Sequence, residues 1–276
     1  MLALFAHLSS ALALGDARRG AYLAKAAGCV GCHTEDHKGA VPFAGGRALK
    51  TPFGTFYGPN ITPHPDAGIG RWDSDDFARA LRLGVGHGDA HLFPAFPYPS
   101  FTRITDSDAR DLWAYVSSLA PDPKPSRKHD LVFPSTWRFL AAAWQWLFFE
   151  PGAFVPDPAR SAAENRGRYL VDALGHCGEC HTPRNIFGAV DRDRYLAGAK
   201  LAEGPRVPNL TPTRLKKWSD AELNDFLSSG MTPDGDVVGD TMGEVIRNTT
   251  SQWTPEDLAA VVAYLRTISP QPEAPR

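Results

Sequence analysis

Cys29-Val30-Gly31-Cys32-His33 and Cys177-Gly178-Glu179-Cys180-His181 are two copies of one pentapeptide, and they hold all four cysteines of the chain. C-x-x-C-H reads as a c-type haem attachment site. The two thiols form thioethers with the haem vinyl groups, and the adjacent histidine places a nitrogen on the iron. A Cys₄ zinc site would use the same thiols but leave both trailing histidines without a role. The expected cofactors are therefore two haem c groups, bound through Cys29, Cys32, Cys177 and Cys180, with His33 and His181 as axial ligands.

Similarity extends outward from both motifs. Gly20-Ala21-Tyr22-Leu23 leads into the first and Gly167-Arg168-Tyr169-Leu170 into the second, each as a short helix. Downstream, Pro59-Asn60-Ile61-Thr62-Pro63 matches Pro208-Asn209-Leu210-Thr211-Pro212, both read as turns. Helices open after Trp72 and Trp218, the latter with Ser219 and Glu222 at capping-box spacing. Each half closes on a helix capped by a threonine. Thr105 precedes Leu112, Tyr115, Val116 and Leu119, and Thr254 precedes Leu258, Val261, Val262, Leu265 and Ile268. Both sets follow helical spacing, and no comparable strand alternation is evident. The expected fold is all-α: two tandem class I cytochrome c-like domains, 15–120 and 161–270, joined by a Pro-rich, aromatic linker helix within 121–160. A small loop-rich domain buries little apolar surface alone, so the haem plate completes each core.

The formal charge of −2 over 276 residues offers no basic excess for nucleic acid. Residues 1–14, MLALFAHLSSALAL, are apolar with an A-x-A-like site at Ala11–Ala13, and are expected to be a signal peptide despite lacking a basic n-region. That places the protein in the periplasm, at the outer face of the inner membrane. The linker starts with Pro121, Pro123 and Pro125 and carries Trp137, Trp144 and Trp146. Its apolar run is shorter than the roughly 20 residues that span a bilayer. It is read either as a helix packed between the domains or as an exposed aromatic patch for a partner or membrane surface.

His/Met is the common pairing in electron-transfer haems. Of the methionines, Met242, in what reads as a loop before the last helix, is assigned to the second haem, while Met231 is expected to pack. The first domain has no methionine after the leader. His91 is the first-ranked sixth ligand there, ahead of His87, His64 and His37. Bis-His ligation, a five-coordinate iron and a methionine from another chain all remain open at this level.

With Phe43-Ala44-Gly45-Gly46, Thr51-Pro52-Phe53-Gly54-Thr55, Gly68-Ile69-Gly70-Arg71-Trp72, His91 to Tyr98 and Thr182-Pro183-Arg184-Asn185 added to the two motifs, the chain resembles cytochrome c subunits of membrane-associated and periplasmic dehydrogenases, of the alcohol, gluconate and molybdenum hydroxylase type. The resemblance implies electron transfer from a dehydrogenase catalytic subunit to an oxidase, a quinone or a soluble cytochrome, with membrane association through a partner. Such relatives commonly carry a methionine in an A-M-P-Y stretch or just before the closing helix, where this chain has Phe96 and Ile104. No hydrolase triad or nucleotide-binding fingerprint stands out, so a non-enzymatic electron carrier is expected. The competing function is a peroxidase-like haem enzyme reacting at the first haem.

Overall fold

The computed structural model describes residues 15–200 and 206–273; the expected leader, 1–14, lies outside the described residues. The first half runs α1 (Ala17–Ala26), α2 (Cys29–His33), β1 (Ala48–Thr51), β2 (Gly54–Tyr57), α3 (Ser74–Leu83), α4 (Tyr98–Phe101) and α5 (Asp106–Val116). Then β3 (Asp130–Leu131) and α6 (Phe139–Phe148) precede the second half. That half runs α7 (Ala162–Tyr169), α8 (Gly178–His181), β4 (Ala199–Lys200), β5 (Arg206–Val207), α9 (Pro212–Leu215), α10 (Asp220–Ser229), α11 (Asp240–Asn248) and α12 (Pro255–Thr267). Helix dominates, but the short antiparallel hairpin β1–β2, extended by β3, and the pair β4–β5 were not expected. Strands of two to four residues are too short to write a period-two pattern.

The caps read from sequence are in place. Thr105 and Thr254 accept from the backbone N–H of Asp108 and Asp257, and Ser219 forms a full capping box with Glu222. Asp16 and Asp73 cap α1 and α3 in the same manner. In each half the first and closing helices cross at a glycine. A Cβ on Gly20 would stand 1.9 Å from the Asp111 carbonyl oxygen, and one on Gly167 would stand 1.9 Å from that of Ala260. Only a residue without a side chain lets the two backbones approach so closely. Gly20 precedes Cys29 by nine residues, whereas Gly167 precedes Cys177 by ten. The second half absorbs its extra residue in a π-helical turn over Leu170–Leu174.

The two halves are joined by a reciprocal exchange. Tyr22 of α1 donates to Asp257 of α12 at 2.5 Å, and Tyr169 of α7 donates to Asp108 of α5 at 2.6 Å. Each carboxylate is also held by an arginine of its own half. Arg166 binds Asp257 through two bonds of 2.7 Å, and Arg19 bridges Asp108 and Asp111. One apolar core then runs through both halves, from Leu23, Ile104 and Leu112 to Leu170, Leu174 and Val261.

The segment between the halves touches both. Gln145 of α6 donates to the carbonyl of Gly84 at 2.9 Å, and the Trp144 indole donates to that of Phe187 at 2.9 Å. The opposite face of α6 stays in solvent, with Trp146 84% exposed.

Two outcomes follow. Gly20→Ala must force α1 off α5 and is expected to cost about 2 kcal/mol in urea unfolding. Burial alone would raise the Asp257 carboxyl, but hydrogen bonds from Arg166 and Tyr22 outweigh it and hold it below its usual value. Its contribution is thus complete above the ordinary carboxylate range near pH ~4 and is lost as pH falls through the lower folded value. Thermal midpoints measured from neutral to acid pH should fall more steeply for the native chain than for Asp257→Asn.

Candidate haem sites

A helical turn explains the spacing of the attachment motif. Positions i, i+3 and i+4 share one helix face, so α2 groups Cys29, Cys32 and His33, and the turn through α8 groups Cys177, Cys180 and His181. The chain enters α2 through Gly28 in the left-handed region, φ 62°. His176 occupies the equivalent place at φ 38°, steadied by a 2.8 Å contact from Nδ1 to the Leu174 carbonyl and by edge packing on Phe101. Left-handed conformations are uncommon for a residue with a side chain, although histidine is among those enriched there.

Each motif histidine is oriented by the Pro-Asn pentad of its own half. His33 Nδ1 lies 2.8 Å from the Pro59 carbonyl, and His181 Nδ1 lies 2.7 Å from that of Pro208. Because a carbonyl only accepts, Nδ1 carries the proton and Nε2 keeps its lone pair for a metal. Burial lowers the pKa of both rings, which favours the neutral, ligating form. The pentads are clamped by their asparagines. The Asn60 Oδ1 accepts from the Thr62 amide and hydroxyl at 2.8 and 2.7 Å, and the Asn209 Oδ1 accepts from those of Thr211 at 2.7 Å each. The Asn60 amide donates into the linker at the Asp122 and Lys124 carbonyls, while that of Asn209 donates to the Gln271 carbonyl. From the sequence these pentads read only as turns. The signal that marked them was their repetition beside both motifs.

The thiols are set in apolar surroundings. Burial pushes Cys29 and Cys177 up to about 12. They are neutral thiols on an apolar wall, unlike activated thiolates in an electropositive site. Among the described residues no group of three or more His, Cys, Asp or Glu side chains is placed to share one ion, so the four thiols do not form a tetrahedral site. A haem edge fits this donor set: paired thiols, a histidine with a free Nε2, and an apolar lining.

Each attachment turn is met by the opposite half. Ser100 of the first half donates to Glu179 inside the second motif at 2.7 Å. Arg47 of the first half pairs with Glu244 of α11 at 2.6 Å, and α11 packs on the α2 turn beside Gly31. The Cys32 thiol is pushed up by burial and by Glu244, and Cys180 adds to this from across the interface.

Met242 sits on the first turn of α11, not in the expected loop. Gly243 in mid-segment and the Asn-Thr-Thr run behind it hid that helix. Met242 shares a helix face with buried Ile246, away from Glu244 and Asn248, which face the first half. Met231, expected to pack, is 51% exposed in the hairpin paired to Val237. A short turn next to Gly230 left no core for it to enter.

In the first half, His91 is exposed and its Nδ1 lies 2.5 Å from the Gln145 side-chain oxygen on α6. His87 pairs with Asp76 and stacks on Trp72. His64 accepts the Asp66 and Ala67 amides in a turn, and His37 pairs with Glu35. Phe96 packs edge-on against Phe101, and Ile104 is fully buried. His129 is a further ring beside this half, set between Phe56 and Phe93 and accepting the Tyr57 amide.

Two helical halves, each with a C-x-x-C-H turn and a carbonyl-oriented histidine, define a two-haem c-type protein. The chain belongs to the cytochrome c family, whose pattern it matches over residues 17–120 and again over 165–269. It is 43% identical over 258 residues to a diheme cytochrome c-type protein of Cereibacter sphaeroides, covering 92% of this chain and 86% of the relative. It is 39% identical over 260 residues to the fructose dehydrogenase cytochrome subunit of Gluconobacter japonicus, covering 93% of this chain and 53% of that protein. With the cytochrome c subunit of the quinone-dependent alcohol dehydrogenase of Gluconobacter oxydans it shares 36% over 271 residues, 93% of this chain and 55% of that protein. The chain thus spans most of the first relative, but only about half the length of the other two. Two haem c groups are its cofactors.

Asn209→Ala removes the clamp on Pro208 and leaves buried partners unpaired. It is expected to cost about 2 kcal/mol in denaturant unfolding of the holoprotein followed by haem absorbance.

Proposed function

We propose that this chain carries electrons from the catalytic subunit of a dehydrogenase, through two haem c groups, to an oxidase, a quinone or a soluble cytochrome in the periplasm. The observation that carries the reading is the shared interface. It places an element of each half against the attachment turn of the other, Ser100 on Glu179 and α11 on α2, so that both redox centres border one shared interface. The relatives named as cytochrome subunits of fructose and alcohol dehydrogenases support a dehydrogenase as donor.

In this proposal Cys29 and Cys32 would hold the first haem and Cys177 and Cys180 the second, with His33 and His181 offering their free Nε2 to the irons. Each haem supplies a one-electron ferric/ferrous couple. The chain's residues do the rest. Pro59 and Pro208 fix which imidazole nitrogen is protonated and keep it from turning. The buried walls keep water off and set the local polarity that tunes potential. Met242 is assigned to the second iron and His91 to the first. For His91 to serve, its Nε2 must be the ligating atom, since Nδ1 meets Gln145.

A potentiometric titration of the purified holoprotein tests this. Two one-electron waves are expected, the lower one belonging to the first haem, because a thioether ligand raises the potential relative to imidazole. Met242→His should lower only the upper wave and abolish the Met–iron charge-transfer band. His91→Ala should turn the first haem high-spin. A native chain already high-spin at one haem, with a spectrum that responds to peroxide, would replace the electron carrier with the peroxidase-like reading.

A further inference from the structure

The outer face of α6 is apolar without interruption. Phe139, Ala143, Trp146 and Leu147 fall at helical spacing on one side, and all four are exposed, with Phe139 at 63% and Trp146 at 84%. The patch continues beyond the helix in both directions. Phe133 packs on Trp137 and Trp137 on Phe139, at 5.0 and 5.6 Å between ring centres. At the other end Phe148 stacks on Phe187 at 5.7 Å, next to Ile186, which is 86% exposed. These ring contacts, together with the Trp144 bond to Phe187, hold the surface in a fixed shape before anything binds. An apolar surface continuous over two elements marks an interaction site.

The charges around it select the occupant. Val132 through Phe149 contains a single charged residue, the cation Arg138, and the exposed Glu150 that follows is paired with Arg192. Just upstream stand Arg127 and Lys128, against one acidic residue, Asp130, in a chain whose overall charge is negative. Arg127 lies 3.9 Å over the Tyr57 ring and Arg138 lies 5.2 Å over that of Phe93. A protein partner is ordinarily held in register by polar groups at the rim and hydrogen bonds across the contact. Between Phe139 and Leu147 the exposed side of α6 offers only the Trp146 indole for that purpose. A lipid surface requires no register. It takes up aromatic and aliphatic side chains at headgroup depth, with indoles at the boundary and cations against anionic headgroups. Among the described residues no helix is long and apolar enough to cross a membrane, so the contact lies in the interface plane.

We infer that the outer face of α6, with Phe133, Trp137, Ile186 and Phe187, is a docking surface for an anionic lipid bilayer, and that this chain binds membrane without help from a partner subunit. The contact would hold the second haem loop near the lipid, since α6 is tied to Phe187 a few residues beyond His181.

The purified holoprotein is sedimented with phosphatidylglycerol–phosphatidylethanolamine vesicles or with phosphatidylcholine vesicles, and the pellet is read by haem absorbance. Binding to the anionic vesicles is expected, weakening with salt. Phe139→Ser with Trp146→Glu should reduce partitioning by roughly tenfold or more with an unchanged haem spectrum, since both side chains lie in solvent. Arg127→Gln with Lys128→Gln should weaken binding to anionic vesicles while leaving the apolar patch intact. Native protein remaining in the supernatant overturns the proposal, as does equal partitioning of the Phe139/Trp146 variant. A native dimer that the same variant dissociates, without vesicle binding, assigns the face to a second copy instead.

Discussion

Two carboxylates, Asp108 and Asp257, tie the whole molecule together. Each stands on the first turn of a closing helix, and its own amide donates to the capping threonine. Each receives an arginine from the first helix of its own half and a tyrosine from the first helix of the other. A buried carboxylate is tolerated in a fold only when its oxygens are so satisfied. The same group therefore starts a helix, fixes the glycine crossing behind it and joins the halves. Because the exchange is reciprocal, neither half can turn without breaking both contacts.

This clasp determines where the haem turns sit. The segments preceding the closing helices, through Ser100 and α11, are carried across to the other half's attachment turn. A duplicated domain with independent halves would leave its redox centres at a distance set by a linker. Here the halves share a core and the turns share an interface. The one-electron chemistry is the cofactor's, and the protein contributes spacing, ligand orientation and burial.

The halves differ where function can differ. The second places a thioether on α11. The first has Phe96 and Ile104 where a methionine is common in relatives, and keeps His37, His64, His87 and His91 in surface contacts or against α6. The joining segment leans on this asymmetric half, with β3 on its hairpin and Gln145 between Gly84 and His91. Gln145, on the buried side of α6, is thus part of the surroundings of His91, whereas the exposed side of that helix is not.

By itself the sequence determined the attachment turns, the duplication and the helix caps. Each is local: three residues on one helical turn, a motif repeated in order, a hydroxyl or carboxylate within three residues of the amide it serves. The short hairpin and α11 escaped it because two to four paired residues, or a helix broken in pattern by Gly243, leave no readable period. Tertiary structure alone decided the contacts between distant positions. His33 meets a carbonyl 26 residues away, and Tyr22 meets a carboxylate 235 residues away. It also decided which side of α6 faces solvent, since a helix apolar on nearly every side carries no periodic signal of its orientation.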